Sequence, residues 1–171
     1  MTQQEREELR IFVGKNADYY ISKWEEIAES KVSWNWAAFF FGLLWFGYRK
    51  MYIHAFIFIA FSLLLQFVQI KMNTTHLVIA LTNLIISVVI GSFGNYLYYE
   101  YAKSKVKEIK QKGLDERSLY LELARQGGTS YFTAIGIALM YLLASSILEY
   151  GLTEVKNENF REQKSIDSWS S

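Results

Sequence analysis

Three long apolar runs alternate with polar segments along this chain. No Asp, Glu, Lys or Arg occurs from Met51 to Ile70, from Leu77 to Tyr99, or from Tyr131 to Leu148. Each run is close to the roughly 20 residues that a helix needs to cross a hydrocarbon core about 30 Å thick. A helix on the surface of a water-soluble protein carries a charged face instead. The pattern predicts transmembrane helices at 51–70, 77–99 and 131–152. A fourth apolar block, Trp34–Tyr48, has a different character. It is 15 residues long and runs straight into Arg49 and Lys50. As a helix it would reach only about 22 Å, and two cations leave almost no loop in which to reverse direction. It is predicted as a re-entrant or interfacial helix, with a short tilted span as the alternative.

The polar segments also carry helical signals. Thr2 and Glu5 have capping-box spacing, and Gly14 supplies a stop. Asn16 can cap a second helix running to about residue 30, with Tyr20, Trp24 and Ile27 on one face and Asp18, Lys23, Glu25 and Glu26 on the other. Ala102, Val106 and Ile109 keep helical spacing beyond the second run, so that helix is expected to continue into water until Gly113. Asp115 then caps a helix bearing Leu119 and Leu123, and Gly127-Gly128 closes it. From Thr153 onward the chain is rich in Ser, Asn, Gln and Glu and reads as a polar disordered tail. The chain therefore divides into N-terminal helices (1–32), a membrane domain (33–152) and a tail (153–171). The fold class is all-α: three transmembrane helices, a short aromatic re-entrant or interfacial helix, and cytoplasmic amphipathic helices.

Charge gives the expected orientation. The connector, residues 100–128, holds seven cations, and the 71–76 turn holds one. The positive-inside rule puts the connector in the cytoplasm and the turn outside. Arg49 and Lys50 agree with that assignment, and with a re-entrant first block the N-terminus is also cytoplasmic. Residues 1–10 are polar and acidic, so no cleavable signal peptide is expected.

Composition narrows the chemistry. The chain contains no Cys, which removes thiolate metal sites, disulfides and thiol redox chemistry. Net charge is +1 and mean hydropathy only +0.06, so nothing points to nucleic acid. His54 and His76 fall at opposite ends of the first and second runs and cannot share a metal. The apolar runs contain no charged residue of the kind that proton relays and coupled transporters use. Their polar residues, Gln66, Asn83, Ser87 and Asn95, are expected to make interhelical hydrogen bonds. Gly127-Gly128-Thr129-Ser130 could cradle an anion at a helix N-terminus, but a cap-and-turn junction explains it without a ligand. No catalytic, cofactor-binding or metal-binding residue is assigned, and no cofactor is expected.

Two groups of residues are candidates for binding. Trp34, Trp36, Trp45, Arg49, Lys50, Lys103, Lys107 and Lys110 combine aromatic rings and cations suited to an interface with anionic lipid. Tyr20, Trp24, Ile27, Leu119 and Leu123 form stripes suited to a protein partner; the Tyr20, Trp24 and Ile27 stripe could equally pack on the rest of the chain, which is favoured over its lying on the membrane surface because its polar face is acidic.

The block Ser33-Trp34-Asn35-Trp36-Ala37-Ala38-Phe39-Phe40-Phe41-Gly42, followed by Leu44-Trp45 and Tyr48-Arg49-Lys50-Met51-Tyr52, resembles the signature of an uncharacterised bacterial integral-membrane family, a domain of unknown function. Phe12–Tyr20, Gly94–Tyr99 and Gly127–Ser130 resemble the same pattern, which extends over about residues 12–150. Relatives often carry an N-terminal zinc ribbon, which a chain without Cys cannot form. The resemblance implies a multi-pass protein of the bacterial cytoplasmic membrane with a cytoplasmic N-terminal side, and it implies no activity. The function expected is a non-enzymatic scaffold or regulatory module that presents cytoplasmic helices to a protein partner or to anionic lipid. A subunit of a small oligomeric transporter or channel is the alternative, and a lipid-modifying enzyme a remote one. The expected partners are the bilayer, anionic lipid, and a membrane-protein partner or a second copy.

Overall fold

The computed structural model describes residues 1–30 and 32–169. Seven helices follow in order: α1 (Gln3–Val13), α2 (Ala17–Ser30), α3 (Trp36–Tyr48), α4 (Tyr52–Lys71), α5 (His76–Lys110), α6 (Glu116–Gln126) and α7 (Tyr131–Trp169). The described residues include no strand.

Three of the helices, α4, α5 and the apolar part of α7, are long and apolar enough to cross a membrane. Ile53, Phe56, Ile57, Leu64, Leu81, Ile85, Phe132 and Ile147 are exposed along them. A soluble monomer rarely leaves so extensive an apolar surface in water. The helix of α5 does not stop where its apolar run does. It continues unbroken to Lys110, so its second part leaves the apolar layer and becomes the centre of a polar one.

That polar layer contains α1, α2, α6 and the end of α5. Leu9, Phe12 and Val13 from α1, Tyr20, Ile21, Trp24 and Ile27 from α2, Tyr98, Ala102, Val106 and Ile109 from α5, and Leu123 from α6 are all buried. These residues recur every three or four positions, and helical periodicity places them on one face. The expected caps are present. The Thr2 hydroxyl accepts from the Glu5 N–H and the Glu5 carboxylate from the Thr2 N–H. Gly14 ends α1 at φ 61°. Asp115 accepts from the Ser118 N–H at the start of α6.

At the junction of the two layers lies α3. It is two short helical arms separated at Gly42, where φ is 38° and ψ −105°. Glycine adopts this positive φ without the side-chain clash other residues would suffer. The two ends of α3 lie near the polar layer. Its start is tied to α5 by Asn35 N–H donating to the Gly91 carbonyl at 2.8 Å. Its end lies against the first residues of α7, with Ser130 N–H donating to the Tyr48 carbonyl at 2.9 Å. Gly42 lines a groove together with Phe58, Ile90 and Tyr141. Tyr141 is ten residues into α7, a depth of about 15 Å.

Close approach at this junction requires small residues. A Cβ on Gly94 would lie 2.8 Å from the Ala38 Cβ, and one on Gly47 would lie 2.8 Å from the Ala134 Cα. Glycine at these two positions lets α3 pack backbone-close against α5 and α7.

The final segment departs from expectation. Composition predicts disorder from Thr153, but α7 continues as a helix to Trp169. Extending an existing helix avoids the costly nucleation step, and Glu, Lys, Arg and Gln are good helix formers. The Lys156 ammonium donates to the Asn73 side-chain oxygen at 2.6 Å and ties this extension to the α4–α5 turn. Residues 170–171 of the expected tail lie outside the described residues.

Candidate functional site

The Tyr48-Arg49-Lys50-Met51 turn connects α3 to α4. Lys50 adopts φ 58° there, and both cations point into structure. The Arg49 Nη1 donates to the Val13 carbonyl at 3.3 Å and to the Lys15 carbonyl at 3.1 Å. These carbonyls belong to the end of α1 and the residues just beyond it, where helix acceptors lack intrahelical donors and the dipole favours a cation. Lys50 treats α6 in the same way. Its ammonium donates to the Arg125 carbonyl at 3.1 Å, near the end of that helix. Tyr101 on α5 donates to the Lys50 carbonyl at 2.8 Å. Two adjacent cations thus hold the C-terminal ends of two different helices.

Arg49 is only 2% exposed. Among the described residues, no carboxylate pairs with it. Its guanidinium lies instead over aromatic faces: Tyr20 at 4.4 Å, Tyr98 at 5.2 Å and Tyr48 at 5.6 Å from the ring centroids. Such faces attract a cation, more strongly when it is desolvated, but they do not neutralise it. The buried Nε has no hydrogen-bond partner, and neither does the buried Tyr98 hydroxyl.

Beside Arg49 is a cavity of about 380 Å³. Asn16, Tyr48, Arg49 and Tyr131 supply its polar lining, and Phe41, Leu44, Ala134 and Ile135 its apolar wall. Lys15 stands next to it, its ammonium 5.9 Å from the Tyr131 ring centroid. Hydrogen bonding to Tyr131, and then the interaction with its charge, raise the Lys15 pKa above 10.5. Lys15 therefore keeps its positive charge throughout the physiological range.

A second polar cluster locks the start of α3. The Asn35 amide donates to the Asn95 Oδ1 at 2.8 Å, while its own Oδ1 accepts from the Ala38 N–H at 2.9 Å. The Asn95 amide donates to the Ser33 hydroxyl at 3.1 Å, and its backbone carbonyl accepts from the Trp24 indole at 3.0 Å. Both Asn side chains are buried. Each finds partners, as a buried polar group must.

A polar-lined groove of about 530 Å³ runs between α4, α5 and α7 and includes Gln66, His76, Asn83, Ser87, Ser145 and Glu149. Gln66 and Ser145 are joined across it at 2.9 Å. Asn83 and Ser87 line the groove but make no interhelical hydrogen bond among the described residues, contrary to expectation, because α5 diverges from α4 and α7 there.

The structure redistributes the residues expected at interfaces. Trp36 is 62% exposed and stacks on Phe40. Trp34 is half-buried against α3 and α5. Trp45 is buried, and its indole donates to the Tyr20 hydroxyl at 3.2 Å. Trp45 is therefore a core residue rather than an interfacial ring. Lys110 forms an ion pair with the buried Glu8, donating to both carboxylate oxygens at 2.7 and 2.9 Å. Lys103 lies over the Tyr99 ring. With Glu5, Glu8 and Lys110, Lys103 and Lys107 line an open groove of about 530 Å³ between α1 and α5.

The stripes expected to meet a protein partner need correction. Tyr20, Trp24 and Ile27 are buried against the chain's own core, as is Leu123, and Leu119 is half-buried beside them. Periodicity shows that a face is apolar; here the same chain covers it. The anion cradle read at Gly127–Ser130 is also unavailable. Gly128 N–H donates to the Phe12 carbonyl at 2.7 Å, and Ser130 N–H is taken by Tyr48. A Cβ on Gly127 would lie 1.9 Å from the Phe12 carbonyl oxygen, so this segment is a packing junction.

The composition signal for Arg49 was its place beside an aromatic block. Its role beneath α1, and the absence of a carboxylate partner, depend on residues distant in sequence. Among the described residues, no cluster of His, Asp and Glu could hold a metal ion.

Residues 3–103 match the model of a family described as a protein of unknown function (DUF2628). The matched region includes the whole of α3, the Asn35–Asn95 cluster and Arg49, but ends before Gly127–Ser130. No curated protein and no solved structure matches the chain.

Proposed function

The chain belongs to the DUF2628 family of unknown function, and on that premise we propose that it is a non-enzymatic, multi-pass protein of the bacterial cytoplasmic membrane. It acts as a scaffold whose rigid cytoplasmic helix layer is presented to a protein partner or to anionic lipid. α4, α5 and α7 are its spans. α3 enters from the cytoplasmic side as a re-entrant wedge and returns to the same side.

The observation that carries this reading is the continuity of α5. One 35-residue helix supplies both a lipid-length apolar segment and the centre of the polar layer. At 1.5 Å per residue it is about 52 Å long, well over a bilayer core. The two layers are therefore mechanically joined, and Arg49, Lys50 and the Asn35–Asn95 cluster fix α1, α6 and α3 to that axis. The surface left for a partner is the mixed-charge groove of Glu5, Lys103 and Lys107 between α1 and α5, rather than the buried apolar stripes.

The test is extraction. The full chain should stay with membranes through alkaline carbonate and high-salt washes and be released only by detergent. Release by carbonate alone would overturn the spanning assignment.

The polar groove between the spans favours one second reading, a subunit of a small oligomeric transporter or channel. Its cross-linked mass in native membranes separates the two: a discrete oligomer closing around the groove supports transport, and a monomer supports the scaffold.

A further inference from the structure

We propose that the cavity beside Arg49 binds the headgroup of an anionic phospholipid, with the start of its acyl chains against Phe41, Leu44 and Ile135. The inference rests on the membrane assignment above and names the lipid class and the site.

The argument begins with an uncompensated charge. A buried guanidinium normally has a carboxylate beside it, because desolvating a lone cation is costly. Arg49 has two backbone carbonyls and three tyrosine rings, but no carboxylate. Its Nε is buried on the Tyr98 side, and the Arg49 side chain is also part of the cavity lining. Arginine's planar fork suits phosphate oxygens, and its charge is permanent.

The surroundings add to that preference. Lys15 brings a second cation to the Tyr131 side of the cavity. Among the described residues, no carboxylate lines the cavity. The whole polar end is therefore electropositive, although the chain's net charge is only +1.

The other end identifies the ligand as an amphiphile. Phe41 and Ile135 are more than half exposed, and Leu44 is also exposed. The apolar wall is therefore open at the protein surface beside the start of α7, the surface that meets lipid on the membrane assignment above. The volume of about 380 Å³ falls within the usual range for a small-ligand site, roughly 300–1,000 Å³. A free phosphate would use the cations and leave this wall empty.

Arg49 also holds the end of α1, so the informative variants are at Lys15, beside the polar end, and Ile135, on the apolar wall. Purified full-length protein in neutral detergent is titrated with short-chain phosphatidylglycerol or phosphatidylcholine, and retained lipid is counted by native mass spectrometry. Phosphatidylglycerol should be retained at least about tenfold better, a difference of roughly 1.4 kcal/mol. Lys15→Glu and Ile135→Trp should each reduce its retention severalfold, with helix content by circular dichroism unchanged. Inorganic phosphate at millimolar concentration should not displace it. Equal retention of the two lipids overturns the proposal, as does wild-type retention by Ile135→Trp. Full displacement by phosphate overturns it in favour of a free-anion site. A protein that resists carbonate extraction yet shows no lipid preference refutes the lipid site alone; one released by carbonate refutes the membrane assignment on which it rests.

Discussion

Single residues in this protein act through what they leave behind when removed. Glu8 is buried, with its carboxylate satisfied by Lys110 and by Gln4. The Lys110 side chain is 44% exposed and can return to water. The pair is therefore asymmetric. Lys110→Ala should destabilise the polar layer by about 2–3 kcal/mol, because it strands a buried carboxylate. Glu8→Gln should cost no more than about 1 kcal/mol, because the amide keeps an acceptor and the freed lysine is solvated. Urea unfolding in detergent, followed by circular dichroism, reads the difference, and an equal loss in both variants would contradict it. Asn35 plays two parts, capping α3 and pairing with Asn95. Asn35→Ala should cost about 2–3 kcal/mol in the same assay, the sum of a lost cap and an orphaned amide.

At the scale of elements, the glycines of α3 make separate predictions. Gly47→Ala places a methyl group 2.8 Å from the Ala134 backbone, which side-chain rotation cannot relieve. It should lower thermal stability by an amount equivalent to about 1–3 kcal/mol and loosen the start of α7. Gly42→Ala meets no neighbour within 4 Å but must keep φ at 38°, for a cost of about 1–2 kcal/mol from backbone strain. Gly136→Ala, in open space on α7, should be neutral or slightly stabilising through helix propensity. The thermal midpoints should rank Gly136→Ala highest, and a reversed order would show that α3 is not packed backbone-close. Helix α6 carries an acid-sensitive element. Hydrogen bonds from Arg125, Gln126 and Lys112 hold the Glu122 carboxyl well below its ordinary value, and hydrogen bonds from the Ser118 hydroxyl and N–H lower that of Asp115. Carboxyls with lowered folded pKa values stabilise fully above their unfolded values, near 4, and lose that contribution as pH falls below them. Amide protection in 116–126 should therefore fall below about pH 4 before protection in the buried part of α5 does. Unchanged protection down to pH 3 would show that these bonds contribute nothing to docking.

For the whole molecule, the arrangement predicts sidedness. The absence of cysteine makes single-cysteine labelling direct. Thr2→Cys and Lys107→Cys should react from one face of sealed vesicles and Thr74→Cys from the other. Labelling of all three from the same face would remove the spanning topology. The arrangement also makes clear why the aromatic block is so dense. One arm of α3 stacks Trp36 and Phe40 outward, while the other places Trp45 and Phe46 in the core. A single apolar segment thus presents one set of rings to the surface and another to its own protein.

Several features were legible before any coordinates. Period and run length located α4, α5 and α7, since crossing length and the lack of charge are properties of a segment by itself. Caps at Thr2, Gly14 and Asp115 were legible because they act within three or four residues. The break in α3 was foreshadowed only by its shortness. That the Tyr20 and Trp24 stripe packs on its own chain follows from its acidic opposite face, but the surface that covers it could not be read, because α5 lies about seventy residues away. The tail was misread for a related reason: composition measures how much a segment can bury, whereas α7 had already been nucleated upstream.

The sequence by itself determined the lipid-length helices, their charged boundaries and their caps, because each depends on neighbours along the chain. Only the tertiary structure decided which apolar faces were covered, which polar groups were joined, and that Arg49 lies beneath α1 without a carboxylate. Those outcomes depend on groups from α1, α2, α3 and α5 meeting in space, and no local pattern encodes where the counter-charge of a buried cation will be.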